Sequence, residues 1–173
     1  MTWEAEKMRE KLTKSDVKKI EEEIEHRKLV VRKECLEAVK EARAHGDLSE
    51  NFEYHAAKRE KNQNESRIRY LENMLKNAII ISEESREDEI GLNNTVILYM
   101  EDDDEEEEYK LVTSIRGNSM NNMISTESPL GRAILHKKVG DRVLVQANET
   151  YSYYVTVRKI EKTDGREDPI RRF

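Results

Sequence analysis

Asp47 and Glu50, two carboxylates three residues apart, are the pair in this chain best suited to chemistry. They sit in the stretch Ala42-Arg43-Ala44-His45-Gly46-Asp47-Leu48-Ser49-Glu50-Asn51-Phe52-Glu53-Tyr54. Carboxylate oxygens are hard ligands suited to Mg²⁺, which prefers six donors, so two side chains hold it only in a site that other groups complete. The spacing also has a plain structural use. Asp at a helix N-cap with Glu three residues on forms a capping box, each carboxylate satisfying exposed backbone N–H groups. Spacing alone favours the cap. Arg43, Lys58 and Arg59 bring positive charge suited to phosphates, and His45 and His55 flank the same stretch. The four histidines have no metal-ligand spacing, and there is no Gly-rich phosphate loop, zincin motif or nucleophile elbow. An independent enzyme is poorly supported.

The elements around the pair give it a setting that a cap alone does not need. From about Lys14 to Ala78 there is no proline, and the only glycine is Gly46. Before it, Val17, Ile20, Ile24, Val31, Ala38 and Ala42 recur at 3–4 spacing, with Arg27 and Glu34 filling the gaps. After it, Tyr54, Ala57, Lys61, Asn64, Ile68, Leu71, Leu75 and Ala78 do the same. This periodicity predicts two helices folded back on each other as an antiparallel hairpin, roughly 45–50 Å long at 1.5 Å per residue. Its seam is aliphatic at the base and polar toward the middle. The acidic pair falls at the tip, within residues 46–51. The first domain is placed at 12–81.

Beyond a charged linker, Ser82 to Gly91, short β-branched and aromatic runs predict strands at Thr95–Met100, Tyr109–Ile115, Arg142–Gln146 and Tyr151–Ile160. Pro129 opens a short helix, and Gly140-Asp141 turns the chain into a strand. The second domain, placed at 92–162, is a small α+β unit with a mainly antiparallel sheet, so the whole is a two-domain α+β chain. The acidic run Glu101 to Glu108 is expected to be a solvated hairpin loop, and Thr163 to Phe173 a loosely held tail.

Composition agrees with this division. Of 173 residues, 36% are hydrophobic and 39% charged, too polar for one large compact core. Residues 1–80 carry 18 basic and 17 acidic side chains, and residues 81–173 carry 13 and 20, which argues against broad nucleic-acid binding by the second part. No apolar run approaches the roughly 20 residues that cross a bilayer. Cys35 is the only cysteine, which excludes an intramolecular disulfide, fits a reduced, cytoplasmic setting and reads as a small buried helix residue. A hairpin that satisfies its own seam predicts a monomer.

Two stretches resemble the Gre family of bacterial transcript cleavage factors. One runs from Glu41 to Asn51 and continues as Glu53-Tyr54-His55-Ala56-Ala57-Lys58; the other is Ser125-Thr126-Glu127-Ser128-Pro129-Leu130-Gly131-Arg132-Ala133-Ile134-Leu135, continuing as Lys137-Lys138-Val139-Gly140-Asp141. Their order and spacing are the family's, and the likeness spans about residues 12–161. The resemblance implies an N-terminal antiparallel coiled coil and a C-terminal domain of FKBP-like topology. It implies docking at the secondary channel of bacterial RNA polymerase, with the tip reaching the 3′ end of backtracked nascent RNA. There Asp47 would assist Mg²⁺ at the polymerase active site and Glu50 would orient or activate a water, the ion not being held stably by this chain alone. By the same resemblance Arg43 and Lys58 would lie near RNA phosphates, Ser49, Asn51 and Tyr54 would shape the tip, and Ser128, Pro129, Leu130 and Gly131 would mark the polymerase-docking face. The cleavage would be the polymerase's own, stimulated in trans. Phe52, where the family usually has alanine, and the acidic run are departures that leave room for a channel-binding regulator without cleavage. A coiled-coil adaptor is the reading from composition alone.

Overall fold

The computed structural model describes residues 9–46 and 50–172. Asp47 and Ser49 lie outside the described residues. In chain order the elements are β1 (Lys11–Leu12), α1 (Lys14–His26), a π-helical turn (Arg27–Val31), α2 (Arg32–Ala44), α3 (Phe52–Asn77), β2 (Ile79–Ile80), β3 (Thr95–Met100), β4 (Glu105–Val112), β5 (Met123–Ser125), α4 (Pro129–Ile134), β6 (Arg142–Gln146) and β7 (Ser152–Glu161). They form two compact units, Val17–Ala78 and the segment up to Asp16 with Ile79–Phe173. The second unit thus claims residues at both ends of the hairpin's predicted range. Among the described residues no helix is long and apolar enough to cross a membrane.

In the hairpin unit the seam buries Ile20, Ile24, Cys35 and Ala42 from the first arm against Ala57, Asn64, Ile68, Leu71 and Met74 from the second. Glu34, expected in the seam, is exposed, and Cys35 takes its place. The π turn explains the change. Its wider i→i+5 repeat inserts one residue, so seam positions Arg27 and Cys35 are eight apart instead of seven. Burial pushes the Cys35 thiol up, with Glu60, Glu34 and Glu65 adding to the effect, so it is poorly nucleophilic.

The seam's middle is an ionic network. Glu23 accepts from Arg67 at 2.9 and 3.2 Å and from Arg27 at 2.7 Å, and Arg27 also donates to Asn64 Oδ1 at 3.1 Å. Burial alone would raise the Glu23 carboxyl; the Arg67 and Arg27 guanidiniums outweigh it and hold the group below its ordinary value. Arg32 adds a two-pronged bridge to Glu65 at 2.7 and 2.9 Å. Arg67 was not among the expected seam residues. Its charge disguised a position whose neighbour, Ile68, carries the apolar signal.

The second unit holds a five-stranded sheet in the order β5-β4-β3-β7-β6, antiparallel except for the β4–β5 pair. Alternating residues of one face, Val96 and Leu98 from β3 with Val155 and Val157 from β7, pack with Leu111, Val143, Val145, Ile90 and with Leu130 and Ile134 of α4. β1 and β2 pair in parallel as a separate two-stranded sheet. The acidic run is only half a loop. Residues 101–104 form the turn, and Glu105 to Glu108 open β4, opposite Met100 to Ile97 of β3. These residues lie on a stretch of β4 that β5, paired only at Lys110–Val112, leaves as an edge. Charge along an exposed edge discourages pairing with another chain.

The tail is tied down rather than loose. Arg116, 1% exposed in its side chain, donates to the Gly165 carbonyl and, at 3.3 Å, to that of Asp168, while the Arg171 amide bonds the Ile115 carbonyl at 2.7 Å. Arg116 also forms a buried ion pair with Asp16 and donates to Ser15 Oγ at 2.9 Å. Asp16 accepts from the Thr13 amide at 3.0 Å while Thr13 Oγ1 accepts from the Asp16 amide at 3.1 Å. That reciprocal pair is a capping box at the start of α1.

Candidate functional site at the hairpin tip

The turn is built from backbone requirements first. α2 ends at Ala44, and the His45 amide closes its last turn on the Ala42 carbonyl at 3.3 Å. Gly46 follows with φ +139°, where an added Cβ would meet nothing within 4 Å. Glycine is therefore required there by conformation and not by space.

α3 opens at Phe52, and its N-cap is Asn51. Asn51 Oδ1 accepts from the Tyr54 amide at 3.0 Å, while its Nδ2 donates to the Ala42 carbonyl at 2.7 Å. One amide side chain thus caps the second arm and ties it to the end of the first. An acid could do only half of this, since a carboxylate has no donor. The expected capping box of Asp47 and Glu50 is therefore corrected. Glu50 precedes the cap instead of standing three residues into the helix, and the capping box occurs at Thr13 and Asp16. The signal was available in the sequence, because Asn is among the best N-cap residues. It lost to the better-known Asp-x-x-Glu spacing.

Glu50 is exposed, and among the described residues nothing engages its carboxylate. Glu53, also exposed, faces His45 Nδ1 across the turn at 3.2 Å. On the flank, the Arg43 guanidinium lies 5.6 Å from the centre of the Tyr54 ring. Hydrogen bonding by Arg43 holds the Tyr54 phenol below its ordinary value against the effect of burial, with Lys58 and Lys61 contributing. Arg43 and Lys58 are both exposed. The structure therefore brings Glu50, Asn51, Tyr54, Arg43 and Lys58 to one end of the hairpin, with an open carboxylate beside a cationic flank.

The second motif has a different character. Ser128 caps α4: its Oγ accepts from the Gly131 amide at 3.0 Å and donates to the Ser125 carbonyl at 2.7 Å. Leu130 is buried in the core, and a Cβ on Gly131 would stand 2.0 Å from the Ser125 carbonyl oxygen. Three of the four residues thus hold their own domain together. Pro129 is exposed, as are Glu127 and Arg132 on either side of the motif, and those two also line a concavity with Lys11, Ile81, Leu92 and His136.

A helical hairpin whose end exposes Glu50, Arg43 and Lys58, joined to a small sheet domain with a helix-capping Ser-Pro-Leu-Gly motif, defines a two-part factor. The chain belongs to the GreA/GreB family of transcription elongation factors. Residues 10–80 match the family model for the transcription elongation factor N-terminal domain, and residues 84–162 match that for the GreA/GreB C-terminal domain. It is 52% identical over 136 residues to transcription elongation factor GreA of Thermoanaerobacter pseudethanolicus, covering 78% of this chain and 87% of that one. To GreA of Clostridium botulinum strain Langeland it is 45% identical over 144 residues, covering 83% and 90%. Among solved structures it is similar to GreA factor homolog 1 of Thermus thermophilus, with 28% identity, a TM-score of 0.41, and coverage of 88% of this chain and 99% of that one.

Proposed function

We propose that this elongation factor stimulates transcript cleavage: it enters the secondary channel of bacterial RNA polymerase and presents Asp47 and Glu50 to the 3′ end of backtracked RNA. The observation that carries the reading is the exposed Glu50 carboxylate, relieved of capping duty by Asn51 and unengaged among the described residues. A carboxylate of this kind fits a hard cation, yet the donors are too few to hold Mg²⁺ without a partner's ligands. When bound in a shared site, the ion lowers the pKa of a water and stabilises charge on the phosphate. Glu50 would orient a water and accept its proton, Asp47 would complete the carboxylate set for the ion, and Arg43 and Lys58 would hold RNA phosphates. Asn51 and Tyr54, with Ser49, fix the tip. The reaction is the polymerase's, in trans. Pro129, supported by Ser128, Leu130 and Gly131, marks the docking face, and a monomer in the cytoplasm completes the reading.

The test separates charge from fold. Asp47→Asn with Glu50→Gln keeps size and polarity and leaves the Asn51 cap in place. In halted polymerase complexes the double variant is expected to bind as the parent does, melt at the same temperature, and lose RNA shortening. Undiminished shortening by the double variant refutes the assignment. If the parent chain slows elongation without shortening RNA, it is a channel-binding regulator.

A further inference from the structure

Phe52 is 87% exposed, the most exposed aromatic side chain among the described residues. It stands at the first position of α3, directly after the Asn51 cap, so its backbone is fixed by the two hydrogen bonds that Asn51 makes. Three and seven residues on, helical spacing places His55 and Arg59 on the same face. Both are exposed, and neither has an acidic partner among the described residues. Of the nearby carboxylates, Glu53 faces His45, and Glu60, next to Arg59, forms no ion pair with it. Ala56 and Gln63, which share the face, are exposed and offer no large apolar surface.

We infer that Phe52 is a stacking platform for an unpaired base of single-stranded RNA, with His55 and Arg59 along the same helix face taking the phosphates. The inference rests on the cleavage reading for the source of that RNA. An isolated aromatic ring beside an arginine and a hydrogen-bonding imidazole suits single strands, because every base has a π-face and every linkage a negative charge. A protein-docking hot spot has a different form. It needs several apolar neighbours within roughly 800 Å² per partner to exclude water, and here one ring stands alone. With Glu50 two residues before it, the ring would grip the base next to the phosphate under attack, adding a positioning residue.

The experiment uses the full chain and polymerase complexes backtracked so that 2-aminopurine is the extruded 3′ nucleotide. A Glu50→Gln background keeps the RNA intact. The factor is expected to quench the 2-aminopurine fluorescence. Phe52→Tyr should keep the quench, and Phe52→Leu, apolar but unable to stack, should lose it. Phe52→Leu should also weaken binding to backtracked complexes by about tenfold, the scale of one base–aromatic stack, while binding to complexes without extruded RNA is unchanged. Because Phe52 is exposed, both variants should melt as their parent does. Equal quenching by the Leu and Phe proteins overturns the inference, as does an equal loss of binding to complexes without extruded RNA, which would make Phe52 a polymerase contact. Cleavage by the parent chain without any quench overturns the stacking and leaves the cleavage reading standing. Quench by a parent chain that never shortens RNA does the reverse.

Discussion

Replacing Asn51 by alanine removes two bonds at once, the 3.0 Å cap on the Tyr54 amide and the 2.7 Å tie to the Ala42 carbonyl. A lost N-cap costs about 1 kcal/mol, and a lost neutral hydrogen bond at a half-buried site about 0.5–1.5 kcal/mol. The sum, roughly 2 kcal/mol, corresponds to a change of about thirtyfold in the local opening equilibrium. The loss is confined to the tip, so global melting is a poor assay. Amide hydrogen exchange is the right one. Tyr54 should exchange about thirtyfold faster in Asn51→Ala. Asn51→Ser keeps the cap and loses the tie, so it should restore most of the Tyr54 protection while leaving the tip looser than the parent's. In halted polymerase complexes, RNA shortening should fall in the same order, Asn above Ser above Ala, if tip placement limits the reaction. Exchange at Tyr54 within twofold of the parent in Asn51→Ala would refute the assignment of the cap and the reasoning built on it.

Three further outcomes follow from other parts of the chain. Gly131→Ala drives a Cβ to 2.0 Å from a backbone oxygen that cannot swing aside; overpacking of this kind costs about 1–3 kcal/mol, visible as a lower melting temperature. Arg116→Leu leaves Asp16 buried without its counter-charge and releases the tail carbonyls, a loss of about 3–5 kcal/mol that should also open residues after Thr163 to protease. The Glu23 carboxyl has a lower pKa folded than unfolded, so its contribution is present above the ordinary value of 4.5 and is lost as pH falls through the folded value. Acid unfolding of the parent should therefore be steeper below about pH 4.5 than that of Glu23→Gln, checked by circular dichroism.

The parts of the fold legible in the sequence were those set by period. Two helices about Gly46, the strands at Thr95–Met100 and Arg142–Gln146, and the helix opened by Pro129 all follow from spacing and turn chemistry. What escaped depended on partners far along the chain. Glu105 to Glu108 look like a loop by charge and become strand because β3 lies beside them. Gly165 and Asp168 look like tail and are held because Arg116 finds their carbonyls. At the tip, charge and spacing picked out Glu50, but the capping role went to Asn51, whose second bond to Ala42 exists only once both arms are folded.

That second bond ties the site to the seam below it. An aliphatic coiled-coil seam tolerates a slip by one heptad, which would carry one arm about 10 Å along the other. Here the pairs Glu23–Arg67, Arg27–Asn64 and Ala42–Asn51 lie on one register from the middle of the hairpin to its end. A slip would leave Glu23 and Arg67 apart in a half-dry seam, each without its counter-charge, a state far costlier than the stability lost by using polar residues there. The extra residue of the π turn is needed for this closure, since without it Cys35 and Ala42 would rotate away from the seam that Asn51 completes. The charges in the middle of the hairpin thereby fix where Glu50 and Phe52, at the start of the second arm, stand relative to the first arm.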